Sequence, residues 1–191
     1  AAKIAATVRG SGIRYIGGHP MAGTERSGFE NSFGDLFAGA SMILCPEYCD
    51  DEKALKTVSD FFLEIGFGRI TLSSCAHHDE VIAFTSQLAH VVSSAYIHGR
   101  LSTEYSGFSA GSFADMTRVA RLSADMWTEL FFENGANLSD AIGELIDNLQ
   151  KYKTALDTGD RAAMHTLLAE GNARKIESEK LSTPKEGTKT C

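Results

Sequence analysis

His19 is the residue whose type and setting say most about chemistry. It closes the run Ile13-Arg-Tyr-Ile-Gly-Gly-His19 and is followed by Pro20. An imidazole titrates near neutral pH and can accept a proton from a hydroxyl. Pro20 restrains it to extended backbone. The β-rich stretch Ile13–Gly17 reads as a short strand ended by a Gly-Gly break. A histidine at the C-terminal edge of a strand in an α/β sheet stands where open sheets bind ligands. The same position also suits a loop histidine satisfied by nearby backbone. Arg118 is the second candidate, placed early in the helical pattern Phe113-Ala-Asp-Met-Thr-Arg-Val-Ala-Arg121. Its planar fork suits a carboxylate, although a salt bridge to Asp115 fits the spacing equally well.

Other residues are less specific. His90 sits mid-helix beside Leu88, Val91 and Val92, where a core or interface role is the ordinary one. Glu25 and Arg26 read as a solvated loop pair, and Trp127 as core. His77-His78-Asp79-Glu80 looks like a metal motif, but neighbouring side chains on a helix diverge by roughly 100°. Asp79 and Glu80 are instead expected as N-terminal charge on a helix entered at His78-Asp79. No metal site is expected. Cys45, Cys49, Cys75 and Cys191 lack the second ligand pair of a zinc site. They are expected to be free thiols in a reducing, cytoplasmic compartment.

These residues need elements to hold them. Ser41–Cys45 is a second apolar run, stopped by Pro46. From Asp51 to Ile65 apolar residues recur at helical spacing, with Gly66 as C-cap. Arg69–Leu72 is a third strand, and strand, helix, strand in this span predicts a βαβ unit and a parallel sheet. Beyond Ser74 only helical periodicity is seen: Val81 to Ala95, a helix capped by Ser123 and ended at Gly135, another opened by Asn137 or Ser139, and a restart at Gly159-Asp160. The α/β part therefore gives way to an all-α part near residue 73. Gly17–Gly39 and Ser102–Ser112 read as loops, and loops of the first one's length in compact domains are usually functional.

Composition narrows the classes further. The chain has 191 residues, 43% of them hydrophobic, and a formal net charge of −7. That charge speaks against a broad footprint for nucleic acid or anionic lipid. Its apolar runs fall far short of the ~20 residues that span a bilayer. There is no G-x-G-x-x-G, Walker A or H-E-x-x-H. The start lacks a methionine and reads as the middle of a helix, while residues 182–191 read as a loose tail.

Three blocks resemble one family. Gly17-Gly-His-Pro-Met-Ala-Gly-Thr-Glu-Arg-Ser-Gly28 resembles the segment carrying the catalytic histidine of prephenate and arogenate dehydrogenases. His78-Asp79 with Ser86-Gln-Leu-Ala-His90 resembles their H-D…S-H-L-P-H helix, with Gln87 and Ala89 departing from it. Gly111-Ser-Phe-Ala-Asp-Met-Thr-Arg-Val-Ala-Arg121, then Met126-Trp127 and Glu133-Asn134, resembles the third block.

The resemblance implies an oxidation coupled to decarboxylation in tyrosine biosynthesis, with NAD or NADP as hydride acceptor. By position His19 matches the family's proton-accepting histidine, and Arg118 the arginine that pairs with a substrate carboxylate. His90, Glu25, Gly111 and Trp127 match pocket-lining positions. The implied fold is mainly α: residues 1–73 as the C-terminal remnant of a Rossmann-like α/β domain, and residues 74–191 as an all-α helical dimerisation domain. The implied partners are prephenate or arogenate and a second copy of the chain. On this reading the family's dinucleotide fingerprint lies upstream and the chain is a C-terminal portion, inactive alone. A non-catalytic helical dimerisation module, or a Rossmann-plus-helical dehydrogenase of another acid, are the competing readings. His19 and Arg118 argue against the module, and the first block argues against the other dehydrogenase.

Overall fold

The computed structural model describes residues 1–23 and 28–182. Helix α1 (Ala2–Val8) precedes strand β1 (Tyr15–Pro20), and strand β2 (Ser41–Tyr48), helix α2 (Glu52–Glu64) and strand β3 (Arg69–Leu72) follow. The sheet order is β1-β2-β3. The expected parallel βαβ unit is present in β2, α2 and β3, with Met42 opposite Ile70 and Leu44 opposite Leu72. β1 runs antiparallel to β2, which the sequence pattern did not anticipate.

Sequence punctuation makes these elements. Asp51 caps α2 by accepting from the N–H groups of Lys53 and Ala54, each at 3.0 Å. Such a cap contributes about 1 kcal/mol. The helix then lays Leu55, Val58 and Phe62 on buried Met42, Leu44 and Phe67. Full burial of a side chain such as Leu44, 1% exposed, stabilises by about 1.5–3 kcal/mol. Gly66 ends α2 at φ +107°, a conformation that favours glycine.

Two strand boundaries differ from expectation. β1 begins later than Ile13 and continues through Gly17, Gly18 and His19 to Pro20. The glycines do not break it. Both pair across the ladder, Gly17 opposite Cys45 and Gly18 opposite Leu44, and a Cβ on Gly18 would meet only the movable tip of Met42, its Cε at 2.7 Å. β2 likewise continues past Pro46. The register slips there, with Tyr15 opposite Tyr48 but Gly17 opposite Cys45, and proline is tolerated at such an irregularity because no ladder N–H is required of it.

The rest is helical: α3 (Cys75–Ile82), a π-turn at Ala83–Gln87, then α4 (Leu88–Ile97), α5 (Gly111–Thr117), α6 (Ala124–Glu133), α7 (Gly135–Asp157) and α8 (Arg161–Ser182). Three expectations need correction. The helix placed at His78-Asp79 starts at Cys75, because Ser74 Oγ accepts the His77 N–H at 3.2 Å. Asp79 and Glu80 consequently fall outside its first turn. α7 opens at Gly135 rather than Asn137, since Asn134 closes α6 and its carbonyl accepts the Leu138 N–H. The loop expected to run to Ser112 ends at Ala110, and Gly111 and Ser112 open α5.

Two compact units result, one of residues 1–141 and one beginning at Ile142. In the second, α7 turns at Gly159 into α8, and Asp160 accepts the Ala163 N–H at 2.9 Å. Ala155 is its buried contact residue, 5% exposed. Among the described residues no helix is long and apolar enough to cross a membrane. Cys45, Cys49 and Cys75 are free thiols.

Candidate active site

His19 is the penultimate residue of β1, opposite Ile43 of β2. Because β1 is antiparallel, its end lies beside the beginning of β2. The open-sheet rule about carboxyl ends of parallel strands therefore does not account for this position. A different arrangement makes the site. His19 shares a cleft of about 160 Å³ with Ala1, Ile4, Tyr15, Gly17, Gly18, Cys45 and His78. The cleft is bounded by α1, β1, β2 and α3.

The hydrogen bonds at this cleft form a chain. His19 Nδ1 lies 2.8 Å from His78 Nε2, with the two rings edge to face at a centroid distance of 5.1 Å. His78 Nδ1 lies 2.8 Å from Asp79 Oδ1. The backbone nitrogens of Ala1 and Ala2 donate to the two oxygens of the same carboxylate at 2.7 and 2.8 Å. His78 and Asp79 side chains are only 9% and 15% exposed, so this chain lies largely out of water.

The electrostatics follow from that burial. Burial lowers the His19 pKa, and the neighbouring His78 lowers it further. His19 is thereby kept neutral and able to accept a proton near pH 7. For Asp79 burial alone would raise the carboxyl pKa. The hydrogen bonds from Ala1, Ala2 and His78 outweigh it and hold the group below its ordinary value. Beneath the cleft, Cys75 is 1% exposed, and burial and then Glu47 push its thiol up to about 12. Burial also raises the Cys45 thiol. Both sulfurs are therefore poor nucleophiles at neutral pH.

A second group surrounds His90. The π-turn offsets the helix ahead of α4 by the extra residue such turns insert. His90 then packs against Trp127 of α6, with ring centroids 4.0 Å apart and planes tilted by 46°. Its Nδ1 lies 3.2 Å from the Val119 carbonyl oxygen. Val119 directly follows Arg118, which is at the C-cap of α5 rather than early in a helix. His90 thus ties α4 and α6 to the backbone beside Arg118. Gly111 starts the same helix, α5. Glu25 lies outside the described residues.

The structure therefore brings His90 and Trp127 into contact and sets Arg118 next to them, while His19 is joined to His78 and Asp79. The last two were not among the residues singled out for the site. The available signal was Ser74, whose capping role moves the helix start to Cys75 and turns His78 and Asp79 inward. Among the described residues no three His, Cys, Asp or Glu side chains group as ligands for a metal ion.

Comparison with known proteins gives a consistent pattern. A family model described as the nucleotide-binding domain of prephenate dehydrogenase matches residues 2–72. One described as the dimerization domain of prephenate dehydrogenase matches residues 74–170. A cyclohexadienyl dehydrogenase of Zymomonas mobilis is 38% identical over 149 residues, covering 74% of this chain and 50% of its own length. The crystal structure of an Aquifex aeolicus prephenate dehydrogenase in complex with hydroxyphenyl propionate and NAD+ is similar, with TM-score 0.70 and 31% identity. That similarity covers 90% of this chain and 60% of the Aquifex chain. A Synechocystis arogenate dehydrogenase gives TM-score 0.73 and 26% identity over 86% of this chain and 61% of its own. The chain spans about half the length of the curated relatives it matches.

Proposed function

The chain belongs to the prephenate dehydrogenase family, and from that premise we propose that it acts in the oxidative decarboxylation of prephenate to 4-hydroxyphenylpyruvate. The observation that carries this reading is His19, held in a cleft with its pKa lowered by burial. In the reaction His19 takes the proton of the ring hydroxyl as the carbon bearing it loses hydride. The bond to the ring carboxylate breaks, CO₂ departs, and its electron pair completes the aromatic ring. Proton acceptance by a positioned group of this kind contributes about 10²–10⁴-fold.

NAD or NADP supplies the hydride acceptor. The match of residues 2–72 to the nucleotide-binding domain, and NAD+ in the Aquifex complex, support that assignment. The chain contains no G-x-G-x-x-G, so no residue here is given the pyrophosphate. Arg118 is assigned to a substrate carboxylate. His90, Trp127, Gly111 and Glu25 are assigned to the pocket, supported for the first two by their contact beside Arg118. Residues 1–73 are assigned to the close of the nucleotide-binding domain and 74–191 to the dimerisation domain. Exposed Leu149, Leu156 and Leu168 in the second unit suit a homodimer. A cytoplasmic location fits a biosynthetic enzyme.

Arogenate is the alternative substrate, supported by the likeness to the Synechocystis enzyme. The deciding experiment incubates the full-length protein with prephenate or arogenate and NAD+ or NADP+, following reduced cofactor and CO₂ together. Stoichiometric formation of both from prephenate is the expected result. Oxidation of neither substrate overturns the assignment.

A further inference from the structure

We propose that His78 and Asp79 are positioning residues that fix which nitrogen of His19 carries a proton, leaving Nε2 of His19 as the acceptor for the substrate hydroxyl. The inference rests on the dehydrogenase reading and adds to it a device that reading does not require. It follows from two 2.8 Å contacts in series and from what each group can donate.

An ionised carboxylate only accepts hydrogen bonds. Asp79 already receives Ala1 and Ala2 through its two oxygens, so the contact from His78 Nδ1 needs a hydrogen on that nitrogen. Neutral His78 is then a pure acceptor at Nε2. Among the described residues the group facing that lone pair at hydrogen-bond distance is His19 Nδ1, which then donates. One proton of the neutral His19 ring is thus assigned to Nδ1, and Nε2 is left with its lone pair. Among the described residues Nε2 has no hydrogen-bond partner. Without Asp79 the logic can reverse. A His78 bearing its proton on Nε2 would donate to His19 Nδ1, move the His19 proton to Nε2 and remove the acceptor.

The same chain handles charge after transfer. When Nε2 takes the hydroxyl proton, His19 becomes an imidazolium whose Nδ1–H points to a neutral imidazole backed by a carboxylate. That pairing stabilises the charge where water is largely excluded. Tyr15 and Cys45 are the other titratable side chains lining the cleft, with the backbone nitrogen of Ala1 beside them. None of them is within hydrogen-bond distance of the His19 ring.

The test uses the full-length enzyme with ¹⁵N-labelled histidine. Long-range ¹⁵N–¹H spectra report the His19 tautomer, and steady-state kinetics run in parallel. The wild type is expected to carry the His19 proton on Nδ1. His78→Leu should move it to Nε2 and lower kcat about 10- to 10²-fold, with KM for the dienol substrate changed less than about threefold. His78→Gln offers an amide oxygen where Nε2 stood, so it should restore the Nδ1 tautomer and most of kcat. Circular dichroism establishes that each variant is folded. Should His78→Leu fail to fold, Asp79→Asn with the same spectra is the second variant, expected to populate the Nε2 tautomer. A wild-type His19 protonated on Nε2, or equal losses in the Leu and Gln variants, overturns the proposal. An Nδ1 tautomer in a protein that oxidises neither substrate keeps the relay and removes the dehydrogenase reading. Turnover with an Nε2 tautomer does the reverse.

Discussion

Asn134 offers the sharpest test of how the helices hold the site together. Its Nδ2 donates to the Asp79 carbonyl at 2.7 Å and to Gln87 Oε1 at 2.9 Å, while its Oδ1 accepts from Asn137 Nδ2 at 2.8 Å. Gln87, in the π-turn and 7% exposed, donates in turn to the Leu130 carbonyl at 3.0 Å. One amide therefore joins α6 to both the residue behind His78 and the turn ahead of His90. Asn134→Ala strips the donor from two acceptors. A buried acceptor left unsatisfied costs about 1–3 kcal/mol. The Asp79 carbonyl keeps its bond from the Ala83 N–H, so its share lies at the low end. Gln87 Oε1 loses its donor outright. The sum is about 1.5–3 kcal/mol, which for a chain of this size lowers Tm by about 3–12 °C. Thermal unfolding followed by circular dichroism measures it, and a cycle with Gln87→Ala should return a coupling of about 0.5–3 kcal/mol. A Tm within about 2 °C of wild type, or strictly additive losses, refutes this network as the tie between α6 and the site.

Three more expectations follow from single groups. Arg118→Ala should raise KM for the carboxylate substrate about 10- to 100-fold, the equivalent of a lost charge-assisted hydrogen bond, with unchanged steady-state constants favouring a purely structural arginine. The Asp79 pKa is lower in the folded chain than its ordinary 3.8. Its stabilisation is therefore complete above that value and lost as pH falls through the folded pKa. The His19 pKa also lies below its ordinary 6.5, so folding loses stability as pH falls below 6.5. Chemical denaturation at several pH values should show a shallower loss below 6.5 for His19→Asn and a smaller acid-range difference for Asp79→Asn.

The sequence was most legible where local chemistry and period agree. Asp51, the apolar spacing of Leu55, Val58 and Phe62, and Gly66 specify α2 without tertiary information. The parallel pairing of β2 and β3 follows from the crossover between them. Gly17 and Gly18 misled because the strand ending depends on what lies across the sheet. Glycine breaks an isolated strand, yet here Gly17 and Gly18 are held extended by pairing with Cys45 and Leu44 of β2. The antiparallel β1 has no local signature at all. His19 was recognisable from its setting and from the family pattern, but its partners were not. They depend on Ser74 setting the helix start and on α1 closing over Asp79, a contact that links residues far apart in the chain. His90 with Trp127 was equally invisible to spacing, since the π-turn just ahead of His90 shifts the phase of its helix and Trp127 lies on another helix.

The account stands or falls on His19 as the proton acceptor. Steady-state turnover of prephenate by the full-length enzyme carrying His19→Asn measures this directly. The expected result is a loss in kcat of about 10²-fold or more, with KM little changed and the fold intact. Wild-type kcat in that variant would contradict the account.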